Sequence, residues 1–566
     1  MLGDVTDVLD LLRAHRHHHP VTLAKGQLTS STAFSGGASY TEAVTGYNSF
    51  ELPSGTQTVI PAAQGALAGT YTQQDSYAPD GQLTSYADSA EGGLHAETVT
   101  TGYDSAGEAN SLGGTGTYVD SLSYTNLGEP LQYTMGTSSQ PVYITDSYDA
   151  QTRRLTEQKT QTGTAQSTVD DLNYGYDNFG NVTSEADTPS AGATDVQCFQ
   201  YDYLGRLVQA WAQGSTGCAA TPSASAEGGA APYWNAYTYN TVGNLTGITS
   251  TTPTGTVTTT TDGYPAAGAV RPHAISTSQV TGSSGTTSYG YDASGHLASI
   301  TATAQNEALT WNDAGQLTQA AITPAGGAAH NTNYIYDADG TLLLTADPGA
   351  TTLYLPDEEL SLNTGTGTVT GTRYYSIGGA IVAARTGASG LAYLAGDQQD
   401  TDSVAIDSGT LGVNRRYYDP YGNARGSAPS SFPVGEKGFV GGANDTATGL
   451  TDLGAREYQP GTASFISPDP LLKPYNPQNL NAYSYAQGNP TTYSDPTGAS
   501  PPMLTDGSDE ASGCVGSRQA AAACDSKVQE EDPSAKGYSP PPANQPGRGT
   551  AKFCDSYNVC QSIPPE

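Results

Sequence analysis

The chain has 566 residues, more than one ordinary domain contains, unless it folds as an array of repeats that grows by adding units. Its 55 acidic and 21 basic residues give a formal net charge of −34, which argues against nucleic acids and anionic membrane surfaces as partners. Charged residues make up only 13%, but 37 tyrosines and alternating apolar positions argue against disorder and predict folded β-structure.

Residues 1–70 are interpreted as a degenerate, partial copy of the repeat that follows. The stretch from Met1 to Pro20 lacks the apolar segment of a signal peptide and carries a cluster of histidines, His15 to His19, that we assign to solvated chain rather than to a metal site. No run approaches the roughly 20 apolar residues of a membrane helix, so no membrane insertion is predicted. Either a specialised route exports the chain or, as we favour, it is a segment of a longer protein.

Residues 71–345 are organised by a repeated motif. The motif is Tyr, Asp or Asn, two loose positions, Gly, one further position and an aliphatic residue. Most copies lie about 20 to 28 residues apart. Clear copies begin at Tyr103, Tyr176, Tyr201, Tyr239, Tyr291 and Tyr336, and weaker ones at Tyr77, Tyr124 and Trp311.

Each copy of the motif predicts a β-hairpin. The Asp side chain can accept a backbone N–H two residues further on, Gly supplies the positive φ of the reversal, and the aliphatic residue starts the return strand. One hairpin cannot bury its face alone, whereas stacked neighbours can. The motif resembles the YD-repeat (RHS) family of bacterial RHS toxins, C components of insecticidal toxin complexes, and teneurins. That resemblance implies an all-β fold in which a long sheet spirals into a hollow shell.

In residues 346–499 the repeated motif gives way to a different sequence pattern. This pattern resembles the RHS repeat-associated core domain, in the form common in actinobacteria. In that family the core plugs one end of the shell and often cleaves its own chain after a terminal DPxG motif. The resemblance therefore implies Asp469, Asp495 and Arg456 as self-cleavage residues and a scissile bond near Gly498–Ala499. The matching stretches are Leu391 to Asp407, Arg415 to Gly426, Lys437 to Pro460, Phe465 to Pro470 and Asn479 to Ala499.

The proposed self-cleavage needs two close carboxylates, one acting as base on a water and the other as acid. Asp-Pro-x-Gly is also an ordinary β-turn, so a purely structural role for these aspartates stays open. The chain departs from the family pattern where the familiar RYYDPxxGRF is eroded, at Arg456-Glu457-Tyr458-Gln459-Pro460, and in two further places. Ala499 stands where a large apolar residue usually follows DPxG, and Asp469 is followed by Pro-Leu-Leu rather than by Pro-x-Gly.

Residues 500–566 form a tail rich in Pro, Ser and Ala, with four cysteines that allow three disulfide pairings. The tail has no histidine, which excludes histidine-dependent nuclease or hydrolase chemistry within it. A truncated cargo peptide is the favoured interpretation, and a small disulfide-stapled toxin is the alternative. Upstream, a local disulfide between Cys198 and Cys218 is plausible, and an oxidising compartment is favoured.

These patterns predict a secreted or cell-surface shell that encloses or presents its own C-terminal segment. Two alternatives stay open: a surface adhesin that binds cell-surface glycans without processing, and a polymorphic toxin with a small C-terminal effector. We expect at most a single-turnover self-cleavage rather than a turnover enzyme, and no cofactor or metal. The copies are too few to close a whole shell, so an N-terminal portion is expected to be missing or supplied by a separate partner.

Overall fold

The computed structural model describes residues 26–499 apart from 216, 267, 428–431 and 472–479, together with three short strands beyond residue 499. The chain divides into two compact units, Met1–Ala521 and Ala522–Glu566. In the second unit the described part is one antiparallel pair, Lys552–Cys554 with Cys560–Ser562. The predicted chemistry of the tail lies outside the described residues.

One sheet dominates the first unit. Among the described residues it has 32 strands, and each strand pairs antiparallel with the next one along the chain. The all-β prediction is confirmed. The sheet runs from residue 30 to residue 415, through residues 70 and 345, so those two predicted divisions mark changes of sequence pattern within one sheet.

The strands of this sheet are numbered in chain order. The first sixteen are β1 Ser30–Ser35, β2 Ala38–Tyr47, β3 Pro53–Ile60, β4 Gly69–Tyr77, β5 Leu83–Asp88, β6 Glu97–Tyr103, β7 Ala109–Gly113, β8 Thr117–Tyr124, β9 Pro130–Thr137, β10 Gln140–Tyr148, β11 Leu155–Thr162, β12 Ser167–Tyr176, β13 Val182–Asp187, β14 Asp195–Tyr201, β15 Leu207–Gln213 and β16 Trp234–Tyr239. The other sixteen are β17 Leu245–Thr251, β18 Val257–Gly263, β19 Thr277–Val280, β20 Thr286–Tyr291, β21 Leu297–Thr301, β22 Gln305–Trp311, β23 Leu317–Pro324, β24 His330–Tyr336, β25 Leu342–Asp347, β26 Ala350–Leu355, β27 Glu358–Asn363, β28 Thr368–Ile377, β29 Ala380–Thr386, β30 Gly390–Gly396, β31 Asp402–Asp407 and β32 Val413–Arg415.

Shorter elements follow the large sheet or interrupt it. A four-stranded sheet consists of β35 Ala443–Asp445, β36 Leu450–Asp452, β37 Glu457–Gln459 and β38 Ser464–Phe465, and two strand pairs are β33 Tyr417–Tyr418 with β34 Ala424–Arg425 and β39 Tyr493–Ser494 with β40 Met503–Leu504. The helical elements that the structure describes are 3₁₀ turns at Ala62–Leu67, Phe439–Gly441, Pro460–Thr462 and Ala486–Gly488. Within the described ranges, no helix is long and apolar enough to cross a membrane.

The repeated motif forms the hairpin turns along one edge of the sheet, as predicted. In the copy at Tyr176, the Asp177 carboxylate accepts the N–H of Phe179 at 2.8 Å and of Asn181 at 2.9 Å, and Gly180 has a φ of 91°. The side chain thus satisfies two turn donors that no strand could pair. The same pair of bonds forms at Asn48, Asp104, Asp202, Asn240, Asn312 and Asp337.

In seven places, a tyrosine that opens a motif turn ties its hairpin to the one before it. Its hydroxyl donates to the backbone carbonyl of the residue that closes the preceding motif, at the end of the strand ladder. That carbonyl would otherwise lack a partner, which explains why the motif starts with Tyr rather than Phe. The pairs are Tyr103 with Leu83, Tyr124 with Ala109, Tyr148 with Pro130, Tyr176 with Leu155, Tyr201 with Val182, Tyr239 with Leu207 and Tyr264 with Leu245.

The sheet curls back on itself, so that strands far apart in sequence share a core. The faces of β6–β10 and β28–β31 meet in one hydrophobic cluster. Within it, the rings of Tyr118 and Tyr375 stack with their centroids 3.7 Å apart. Beside them the fully buried Arg373 lies 3.3 Å from the Glu97 carboxylate, although the two residues are 276 positions apart. Apolar burial and a buried ion pair therefore both hold the curled sheet together.

Residues 480–495 of the core run along the ends of the strands where the motif turns lie. The Tyr483 hydroxyl donates to the Gly295 carbonyl at 2.6 Å, and the Asn489 amide donates to Asn181 at 2.9 Å. Rings from the core and the sheet share a second hydrophobic cluster that includes Tyr485 and Phe199. Residues 480–495 are consequently fastened to several successive hairpins of the large sheet.

The predicted local disulfide is confirmed. Cys198 and Cys218, which are 20 positions apart in sequence, are bonded, with their Cα atoms 5.7 Å apart. Cys198 is buried in β14 beside Trp211, whereas Cys218 lies in the long connection between β15 and β16. The bond therefore fastens that connection to the wall.

Candidate functional site

Arg456 lies at the centre of the candidate site, at the end of the turn between β36 and β37. Gly454 takes a φ of 83° in this turn, and the Leu453 N–H donates to the Arg456 carbonyl at 3.1 Å. The side chain is 2% exposed, and its guanidinium lies 3.6 Å from the centroid of the Phe465 ring. A cation held against an aromatic face in a buried position has a fixed orientation.

The structure brings all three sequence-predicted site residues together. Arg456 Nη2 lies 2.9 Å from a carboxylate oxygen of Asp495 and 3.4 Å from one of Asp469. The Asp495 side chain is 5% exposed and that of Asp469 is 26% exposed. Burial lowers the pKa of the Arg456 guanidinium, and the charges of Asp495 and Asp469 oppose that shift. The Arg456 guanidinium thus bridges the buried carboxylate of Asp495 and the carboxylate of Asp469, which water can reach.

The DPTG turn, formed by Asp495 to Gly498, packs tightly against the hairpin that carries Arg456. The Ala455 N–H donates to the Thr497 carbonyl at 2.9 Å, and Gly498 has a φ of 64°. A Cβ atom on Gly498 would lie 2.7 Å from the Leu453 carbonyl oxygen and 2.9 Å from the Arg456 nitrogen. Backbone atoms cannot move away cheaply, so both the conformation and the space require glycine here.

The Gly498 carbonyl, which belongs to the predicted scissile bond, is itself hydrogen-bonded to Arg456. The Nε–H of Arg456 donates to this carbonyl, while Nη1 donates to the Ala482 carbonyl at 3.1 Å. The guanidinium therefore contacts the predicted scissile carbonyl and both carboxylates at once. A cationic donor on a carbonyl oxygen is the arrangement that stabilises negative charge developing there.

Three features of the site were missed by the sequence analysis. Phe465 supports the guanidinium, Gly454 allows the close approach of the turn, and Gln398 and Gln399 contact the segment that leads to Asp495. Phe465 and Gly454 carry no signal of their own, because an apolar residue and a turn glycine are common everywhere. The Asp397-Gln398-Gln399 stretch lies in a part of the chain that resembles the core domain, but its role depends on contacts that only the fold creates.

Comparison with known proteins agrees with this architecture. The family model described as the teneurin YD-shell matches residues 233–491. The chain is 25% identical, over 431 residues, to the toxin subunit YenC2 of Yersinia entomophaga, covering 67% of this chain and 42% of that protein. These matches support the resemblance of the chain to the YD/RHS-repeat shell family.

Solved structures also resemble this chain. A crystal structure of TcdB2-TccC3-Cdc42 superposes with a TM-score of 0.67 at 21% identity, over 83% of this chain and 25% of that one. The Tc holotoxin pore of Photorhabdus luminescens gives a TM-score of 0.66 at 20% identity, over 85% of this chain and 25% of that one. At this identity the superpositions establish the fold, namely a long antiparallel sheet that forms the wall of a shell. The chain spans 42% of the toxin subunit's length and about a quarter of those structures.

Proposed function

We propose that this YD/RHS shell encloses its own C-terminal segment and releases it by a single self-cleavage at Gly498–Ala499. The observation that carries the proposal is the position of Arg456, which contacts Asp469, Asp495 and the Gly498 carbonyl together. In this position the cation can stabilise negative charge that develops on the Gly498 carbonyl oxygen. The role of the shell in enclosing cargo is supported by the relatives, of which one is named a toxin subunit.

The reaction would be hydrolysis of one peptide bond. A water oxygen adds to the Gly498 carbonyl carbon and passes one proton to an ionised carboxylate, and Arg456 stabilises the negative charge on the carbonyl oxygen. The second carboxyl group then gives its proton to the nitrogen of Ala499, and the C–N bond breaks. The products are a shell that ends in the Gly498 carboxyl group and a tail that begins with the Ala499 amine.

The geometry suggests which carboxyl group does what. Asp495 has the shorter contact with Arg456, at 2.9 Å, and an adjacent cation favours the ionised form, so we assign Asp495 as the base. Asp469 is the more exposed of the two and is assigned as the acid that protonates the leaving amine. Both assignments require that the two groups share one proton.

The partners and location of the chain follow from the same proposal. The tail after residue 498 is the cargo, and the four parts predicted from the sequence would be a partial N-terminal segment, the repeat wall, the core plug and the cargo. Among the described residues β1 pairs only with β2, so its other edge is open to a further shell segment from an N-terminal partner. We infer that the shell acts outside the cell that makes it, since a related protein is a toxin subunit.

Intact mass of the freshly purified chain tests the proposal. Scaled from 58.2 kDa for 566 residues, the released tail has a mass of about 7 kDa. The parent should yield this fragment with Ala499 at its N-terminus, whereas Asp495→Asn, Asp469→Asn and Arg456→Met should stay intact. Asp419→Asn is the matched control, because Asp419 begins a second Asp-Pro-x-Gly turn, in which its carboxylate accepts the Tyr421 N–H at 2.9 Å.

The control should cleave like the parent. An intact parent chain, or equal cleavage in the Asp495 variant, would mean that these aspartates are turn residues. The protein would then be pursued as an unprocessed surface shell, with glycan binding as the first assay.

A further inference from the structure

The loop between β30 and β31 reaches from the shell wall to the backbone just before the DPTG turn. Its Asp397 carboxylate accepts the N–H of Gln399 at 2.8 Å and of Thr401 at 3.1 Å, so the loop has the same internal bonds as the repeated motif. The hydroxyl of Thr401 in turn accepts the Val440 N–H at 3.0 Å. The loop is therefore held by its own side-chain bonds and by the buried turn at Val440.

Two glutamine side chains extend from this loop to backbone carbonyls. Gln398 Nε2 donates to the Thr491 carbonyl at 3.0 Å. Gln399 Nε2 donates to the Pro490 carbonyl and lies 3.4 Å from the Tyr493 carbonyl. Three carbonyls within four residues are thus held by one loop.

The same stretch is held from its other side by the hairpins of the wall. The Thr491 hydroxyl lies 2.6 Å from the Tyr201 hydroxyl, and the Thr492 hydroxyl accepts the Val182 N–H at 3.1 Å. Thr491 and Thr492 are 7% and 4% exposed. The backbone of residues 490–493 therefore lies between the wall and the glutamines.

We propose that Gln398 and Gln399 clamp residues 490–493 and thereby act as positioning residues for Asp495 and the Gly498 carbonyl. The inference rests on the self-cleavage proposed above for its consequence, while the clamp itself is a structural claim. Asp495 is two residues beyond the clamped stretch, and hydrolytic sites tolerate displacements of only about 0.5 Å. Neither glutamine touches the reacting atoms, so their effect is on placement alone.

Hydrogen exchange tests the clamp without relying on cleavage. In an Asp495→Asn background, which keeps the chain in one piece, the double variant Gln398→Ala/Gln399→Ala should exchange the amides of residue 489 and residues 491–495 at least roughly tenfold faster, because the three hydrogen bonds that the glutamine side chains donate to this stretch are lost. The thermal midpoint should not change. Gln151→Ala is the matched control, because Gln151 is exposed and holds the same position after an Asp, with its N–H 3.0 Å from Asp149 Oδ1.

The kinetic consequence is measured separately, in cell-free synthesis with a pulse of label. With Asp495 intact, the glutamine double variant should release the tail roughly 10- to 100-fold more slowly than the parent, whereas Gln151→Ala should match the parent. Unchanged exchange at residues 489–495 would overturn the clamp, and unchanged cleavage would overturn its positioning role. If the parent does not cleave at all, the proposed function fails, while faster exchange in the double variant still supports the clamp.

Discussion

Replacing Arg373 by Met should destabilise the curled sheet more than any exposed charge change. Arg373 in β28 is fully buried, and its Nε and Nη atoms lie 2.5 Å from Glu358, 3.3 Å from Glu97 and 3.5 Å from Asp88. It also donates to the carbonyls of Ser89 and His95, each at 3.0 Å. Met fills a similar volume but leaves three carboxylates and two carbonyls without this partner.

The expected loss follows from the cost of leaving buried charges unpaired. Breaking a buried ion pair by removing one partner costs about 3–5 kcal/mol, against about 0.5–1.5 kcal/mol for an ordinary hydrogen bond. Burial already raises the pKa of Glu358 to about 7 and also raises that of Asp88. Without Arg373 both values should rise further, so the two groups become protonated more easily. The loss of stability should therefore be largest above pH 8 and smaller at pH 5.

Guanidinium denaturation followed by far-UV circular dichroism measures the effect. The control is Lys159→Met, since Lys159 has an ion pair of 2.7 Å with Asp171 but is 31% exposed, and such pairs add little. Arg373→Met should lower the midpoint clearly at pH 8, whereas the control should stay near the parent. Equal midpoints for the two variants at pH 8 would refute the idea that this cluster holds the curled sheet together.

Two further predictions concern the wall itself. Burial raises the pKa of Asp146 to about 7, so the folded chain holds a proton that the unfolded chain has lost, and stability should fall as pH rises from about 4 to about 7. Asp146→Asn should remove at most about 4 kcal/mol of that fall, and the exposed Asp313→Asn should not, when thermal midpoints are compared from pH 4 to 8. Cys198→Ser/Cys218→Ser should cost about 3 kcal/mol in guanidinium denaturation, because a loop of 20 residues is no longer closed in the unfolded chain, and full reduction of the parent should match it.

Much of the fold could be predicted because it depends on contacts between residues that are close in sequence. A motif of seven residues encodes its own turn, since Asp177 needs only the N–H groups of Phe179 and Asn181, and Gly180 needs only its own φ. Repetition of that motif then predicts a sheet of hairpins. The resemblance supplied the three candidate residues around Arg456 in the same way, by residue type and order.

Other features depended on parts of the chain that lie far apart in sequence. Nothing near Arg373 in the sequence points to Glu97, and nothing near Gln398 points to Thr491, which is 93 positions away. The tyrosine hydroxyl bonds that link seven of the hairpins to the one before were also unforeseen, because a half-buried tyrosine has many possible partners.

The amino-acid sequence by itself determined the repeating hairpin, the all-β class and the residues to suspect at the C-terminal turn. Only the tertiary structure decided which distant strands meet where the sheet curls back on itself, and which loop holds residues 490–493. It also decided that Arg456 contacts two carboxylates and the Gly498 carbonyl together. The physical reason is that turns are stabilised within a few residues. Burial of Arg456, Arg373 and their carboxylates is set by how distant strands curl and pack, which no short stretch of sequence specifies.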